Sequence, residues 1–154
     1  MKGAIGNTMV MNIVITFIVL TTAFLVASIS YSKAFKVKTG IIDIIEKYDG
    51  DFTLLASNAS GNQSQIMKEV EEYLGKIGYR RNANSKCPAE DGTTIAESSN
   101  YEVCIYKKND DSETYRGNYY KVKVYMYFDF PVIGDTLRIP VTGESRTFFK
   151  EVDN

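Results

Sequence analysis

Residues 9–29 read MVMNIVITFIVLTTAFLVASI, 21 positions without a charge or a proline. At a helical rise of about 1.5 Å per residue the stretch is roughly 31 Å long, the thickness of a bilayer's hydrocarbon core. Its strongly apolar members are Val10, Ile13, Val14, Ile15, Phe17, Ile18, Val19, Leu20, Phe24, Leu25, Val26 and Ile29. At roughly −0.3 to −0.6 kcal/mol each, they favour insertion by about 5 kcal/mol. Asn12, Thr16, Thr21, Thr22 and Ser28 subtract from this, the threonines only slightly because hydroxyls can bond the helix backbone. The stretch therefore reads as a transmembrane helix. A cleavable signal peptide is the alternative, since small residues stand at Ala27, Ser28 and Ser30. Against it, only Met1-Lys2 forms a basic leader, and the apolar run is longer than the about 7–15 residues of a signal core.

On the N-terminal side, Asn7, Thr8, Asn12 and Thr16 fall at helical spacing on one face, with Gly3 and Gly6 near the same end. Two readings stand: a helix–helix packing face with small residues for close approach, or ordinary polar tolerance near a membrane boundary. Lys2 precedes the span, whereas Lys33, Lys36 and Lys38 follow it, which by charge alone favours a cytoplasmic C-terminal part. A possible disulfide pair and a downstream chain rich in Tyr, Ser, Asn and Thr favour the opposite, N-in/C-out orientation, which is the one expected here. The chain divides at this point into a leader and membrane helix, residues 1–32, and a stalk with an extracytoplasmic head, residues 33–154.

On the C-terminal side the helical pattern continues. Ala34, Val37, Ile41, Ile44, Ile45 and Tyr48 recur at spacings of three and four, and Phe35 and Ile42 widen the stripe. Gly40 is a weak point, and Asp49-Gly50-Asp51 marks the stop. A second amphipathic helix is predicted over Gln65–Ile77, with Ile66, Val70, Tyr73, Leu74 and Ile77 on one face. Asn62 or Ser64 caps its start and Gly78 ends it. The loop between the helices holds two formal glycosylation sequons, Asn58-Ala59-Ser60 and Asn62-Gln63-Ser64, triplets that are frequent by chance.

After Tyr79 the period changes to two. Tyr101–Lys107 alternates, with Val103 and Ile105 on one face. In Tyr119–Phe130, Tyr120, Val122, Val124, Met126, Phe128 and Phe130 point one way. Tyr119, Lys121, Lys123, Tyr125, Tyr127 and Asp129 point the other, a Tyr/Lys face that could stack sugars or bases but is better suited to subunit contact or to partial cover by the chain itself. The segment from Asn109 to Asn118 is expected to be the hairpin loop, and Pro131 to end the long strand. Leu137–Thr142 and Thr147–Val152 are expected as further strands, or as one strand interrupted at Gly143. The fold class is α+β: a long N-terminal transmembrane and stalk helix, a second amphipathic helix and a small C-terminal antiparallel sheet.

Cys87 and Cys104 stand 17 positions apart. Outside the membrane they can close a disulfide loop; two unrelated thiols is the alternative. The 154 residues carry 18 basic and 19 acidic side chains and no histidine. A net charge of −1 supplies no basic field for nucleic acid, and the missing imidazole removes the commonest general base and metal ligand. Phosphate-binding glycine loops and nucleophile elbows are absent. Asp110, Asp111 and Glu113, and Glu90-Asp91, read as solvated loops rather than cation sites. The expectation is a non-enzyme with no cofactor and no metal.

The layout, a short basic leader, an uncharged span running into an amphipathic stalk and a small α+β head, resembles a pilin or pseudopilin. More narrowly it is similar to the TadE/TadG-like minor pilins of Tad-type pili. Lys2-Gly3-Ala4-Ile5-Gly6-Asn7 is similar to that group's opening. The stretch from Val124 to Gly134, with Gly143-Glu144-Ser145-Arg146, is similar to its aromatic strand, turn and closing strand. The glutamate which that group usually carries early in its span has no counterpart, as the region reads Asn7-Thr8-Met9. The resemblance implies a filament or secretion-apparatus subunit whose partners are the membrane, copies of itself or other pilin-like subunits, and pilus assembly machinery. It also implies peptidase cleavage after Gly3 or Gly6. The alternative is a single-pass, membrane-anchored extracytoplasmic sensor or ligand-binding domain that never polymerises.

Overall fold

The computed structural model describes residues 2–53, 64–79, 86–88, 94–98, 101–112, 115–127 and 138–149, with the backbone alone at 2–7, 94–95, 97, 110–112 and 115–116. The sequon asparagines at 58 and 62, the acidic pair at 90–91, Glu113, and Phe128 through the turn at 131–135 lie outside the described residues.

A single helix, α1 (Lys2–Lys47), runs unbroken for 46 residues, about 69 Å at helical rise. It ends where Asp49 and Gly50 turn into the left-handed region, at φ 50° and 69°, and the Gly50 N–H donates back to the Ile45 carbonyl at 3.0 Å. The second helix, α2 (Gln65–Ile77), is capped by the Ser64 hydroxyl, which accepts from the Met67 N–H. Gly78 closes it in the left-handed conformation, with the Tyr79 N–H donating to the Leu74 carbonyl at 2.9 Å.

The sheet comprises β1 (Thr94–Glu97), β2 (Val103–Ser112), β3 (Tyr115–Tyr127), β4 (Arg138–Glu144) and β5 (Phe148–Phe149). All pairings are antiparallel, in the order β1-β2-β3-β4, with β5 on β3. β4 and β5 follow one another along the same edge of β3. The strand runs straight through Gly143, and the interruption falls at 145–147, where the Ser145 N–H still donates to the Tyr120 carbonyl. The Asn109–Asn118 segment is not a loop either. Its residues pair across β2 and β3 up to Ser112 opposite Tyr115, which leaves two residues for the connection. Cross-strand pairing overrides the low strand propensity of Asn and Asp. β1 is a strand without an expectation from the sequence, and it makes β2 an interior strand.

Both helices pack on one face of the sheet. Val37, Ile41 and Ile45 of α1, Ile66, Val70 and Leu74 of α2, and Val103, Ile105, Val122 and Val124 of the sheet are buried together. A smaller cluster, Ala34 with Met126 and Val141, closes the end nearest the N-terminal helix. Phe35 departs from the expected stripe and is exposed. It lies about 200° around the helix from Val37, with the Lys38 ammonium over its ring at 4.0 Å. Gly40 is where α2 approaches α1: a Cβ there would run into the Tyr73 phenol, whose hydroxyl donates to the Lys36 carbonyl at 3.2 Å. Two helical turns further along α1, Lys47 pairs with Glu69 at 2.8 Å and the Tyr48 hydroxyl donates to the same carboxylate at 2.6 Å. Those two partners, the ammonium first, hold the Glu69 carboxyl below its usual range.

Candidate functional site

The feature that most demands a partner is the N-terminal half of α1. From Thr8 to Thr22 every side chain is exposed, and large apolar residues stay exposed as far as Ile29 at 68 %. The window is long and apolar enough to cross a membrane, and none of it is buried by the rest of the chain. Three of its threonine hydroxyls bond within the helix: Thr16 donates to the Asn12 carbonyl at 2.8 Å, Thr22 to Ile18 at 2.8 Å and Thr21 to Phe17 at 3.0 Å. Polar atoms paired in this way cost little in lipid. Thr8, Asn12 and Thr16 stand in a row along this surface at four-residue spacing. Gly3, Gly6 and Asn7 continue the same helix, with their backbone alone described.

The second expected surface, the outer face of β3, is partly covered by the chain itself. Cys87 and Cys104 form a disulfide, with Cα atoms 5.7 Å apart. It fixes residues 86–88 over β2, where the Tyr106 hydroxyl donates to the Pro88 carbonyl at 2.7 Å. Cys104 and Tyr106 are consequently as buried as Val103 and Ile105, so β2 is covered on both faces rather than one. Tyr119, Lys121, Lys123 and Tyr125 remain half-buried, with the Lys123 ammonium 5.7 Å from the Tyr106 ring centre. Tyr127 leaves this face: its hydroxyl donates to the Glu102 carboxylate and its ring packs 6.2 Å from that of Tyr79.

Glu102 belongs to a rim at the end of the head facing the bare helix. It is 5 % exposed and also accepts from Arg138 at 3.0 Å. The Tyr79 hydroxyl donates to the Tyr125 carbonyl, one residue beyond the last β3 position paired with β2. Burial first, then the neighbouring Tyr127 and Glu102, push the Tyr79 phenol well above its ordinary value. The Lys33 ammonium donates to the Gly78 carbonyl at 3.0 Å and so ties the end of α2 to α1. Between these groups lies a notch of about 200 Å³ lined by Ile29, Ser30, Lys33, Tyr79, Tyr125 and Tyr127 among others. Sequence reasoning missed this rim, although Lys33 as the first charge after the span and Tyr79 directly after the helix stop were signals of it.

A wider, open groove of about 670 Å³ runs between α1 and α2 and is lined mainly by charged residues of both signs. Among the described residues, no three acidic or thiol groups converge as a metal site would require. Comparison with protein-family models, with curated proteins and with solved structures finds no match to this chain.

Proposed function

We propose that this chain is a non-enzymatic, pilin-like subunit of a bacterial cell-surface filament or secretion apparatus, anchored and assembled through its hydrophobic N-terminal helix. The observation that carries the reading is the continuity of α1. One 46-residue helix exposes large apolar residues from Met9 to Ile29 and serves as the spine of a packed head over its second half. An all-round apolar helix of this length has to be covered by lipid or by other helices. The row of Thr8, Asn12 and Thr16 supplies small and polar residues of the kind found where membrane helices pack.

The parity of the sheet supports a helical mode of assembly. The Ser145 N–H donates to the Tyr120 carbonyl and the Tyr120 N–H to the Ser145 hydroxyl, so residue 145 faces β3 and, by alternation, Glu144, Thr142, Pro140 and Arg138 turn their backbone away from it. Pro140, opposite Tyr125, is one of these, and it removes a donor from the edge of β4 that pairs with no other strand among the described residues. Strand addition along β4 is thereby discouraged.

The test is mechanical shearing of intact cells, with the protein followed by antibody. Recovery in high-molecular-weight sheared material is expected. Complete retention in the membrane as a monomer would replace the filament subunit with an anchored sensor or ligand-binding domain. In Asn12→Leu, assembly should be lost with insertion intact.

A further inference from the structure

We propose that the notch between α1 and the end of β3 seats the phosphoglycerol headgroup of an anionic phospholipid and thereby sets the height of the head above the bilayer. The inference rests on the reading of α1 as a membrane span. If the hydrocarbon core ends near Ile29, residues 30–34 rise about 1.5 to 8 Å beyond it, within the headgroup layer. Ser30, Lys33 and Ala34 line the notch at that height, and Ile29 lines its lower lip.

The chemistry of the lining matches such a group. Lys33 is exposed, and the Gly78 carbonyl takes one of its three N–H donors. Tyr125, Tyr127 and Tyr79 are among the lining residues, and tyrosine favours the interface between water and hydrocarbon. Among the described residues, the buried carboxylate nearby, Glu102, is paired with Arg138 at 3.0 Å, and Lys33 is the charged member of the lining. A volume of about 200 Å³ is below the roughly 300–1,000 Å³ of sites that enclose a drug-sized molecule. It suits a headgroup whose acyl chains stay in the bilayer against Ile29.

The full-length chain in detergent, titrated with phosphatidylglycerol or phosphatidylcholine and read by native mass spectrometry, tests this. The native chain should retain phosphatidylglycerol about fivefold better than phosphatidylcholine, the effect of one interfacial lysine. Lys33→Gln should bring the two to parity. Ser30→Trp, which fills the notch and keeps the lysine, should do the same, whereas Lys36→Gln, outside the notch, should leave the preference intact. Variants are compared only where the disulfide and the unfolding midpoint of the head are retained. Equal retention of both lipids by the native chain overturns the proposal. So does a loss in Lys36→Gln as large as in Lys33→Gln, which would mean diffuse attraction, and so does displacement by excess inorganic phosphate. Failure of the anchor reading is seen separately: the chain would then stay monodisperse without detergent.

Discussion

From Thr8 to Ile29 helix α1 is bare, whereas from Ala34 to Lys47 the same helix is the spine of a packed head. Backbone geometry is continuous across the two halves, so local structure is not what separates them. The difference lies in the period of the apolar residues. In the upper half Val37, Ile41, Ile44 and Ile45 occupy one face and Lys36, Asp43 and Glu46 the others, which allows a sheet to cover one side only. In the lower half apolar residues surround the axis, and 13 large ones between Met9 and Ile29 are 47 to 73 % exposed. At about 1.5–3 kcal/mol for burying each, on the order of 20 kcal/mol of transfer free energy is available to whatever surrounds that half. A head built on one face of a helix cannot collect it; lipid or a bundle of like helices can.

The comparison breaks most sharply under large-to-small substitution. Ile45→Ala, in the fully buried face, should destabilise the head by about 2–5 kcal/mol in a denaturant titration. Ile18→Ala, in the bare half, should leave the same transition within about 0.5 kcal/mol. Equal effects would mean that the head and the lower helix form one cooperative unit.

Removing the disulfide with Cys87→Ser and Cys104→Ser should cost about 3 kcal/mol, the chain entropy of a loop of this size. It should also raise the exposure of Tyr106, readable by hydrogen exchange in β2. The loss should be confined to the head, with membrane retention unchanged.

At the top of α1, Gly50→Ala should cost about 1–2 kcal/mol. The backbone there has φ 69°, and a Cβ would meet the ring of Tyr120. The Tyr120 hydroxyl also donates to the Gly50 carbonyl at 2.6 Å, so the same variant should loosen the join between α1 and β3.

Without substitution, the smallest effect is expected along the pH axis. Tyr79, Tyr120 and Tyr73 all have phenols raised above the ordinary value, chiefly by burial. A raised folded-state value means that the neutral form is the one the fold prefers. Stability is therefore complete below the unfolded tyrosine value of about 10 and declines as the pH rises through and beyond it. Melting temperatures from neutral to alkaline pH should be flat and then fall, together with late tyrosinate absorbance. A decline that begins well below this range would contradict the burial of these rings.

Much of this architecture was legible in the residues. The 3.6 period marked Val37, Ile41 and Ile45, the alternation from Tyr120 to Met126 marked the inner face of β3, and Gly78 marked the end of α2. These elements announce themselves because one face of each is buried and the pattern is local. The strand character of Asn109–Ser112 was not legible, because it comes from pairing with Tyr115–Asn118 rather than from propensity. Strand β1, four residues long, carries too short an alternation to read. Cover on the outer face of β2 depends on the bridge from Cys87, and the pairing alone did not say which face it would close. The notch was hidden for a similar reason, since Lys33, Tyr79 and Tyr125 are far apart in the chain and meet only when α1 lies along β3.

The central claim, that the bare half of α1 lies in a membrane with the head outside, is tested most directly by single added cysteines labelled with a membrane-impermeant maleimide in intact spheroplasts. Cysteine placed at the exposed Asn109 should label before lysis, and cysteine placed at Asn7, which follows both glycines, only after it. The native pair is held in its disulfide and stays silent. Labelling at position 7 but not at 109 in intact cells would reverse the orientation, and labelling at neither until lysis would place the whole chain inside and contradict the account.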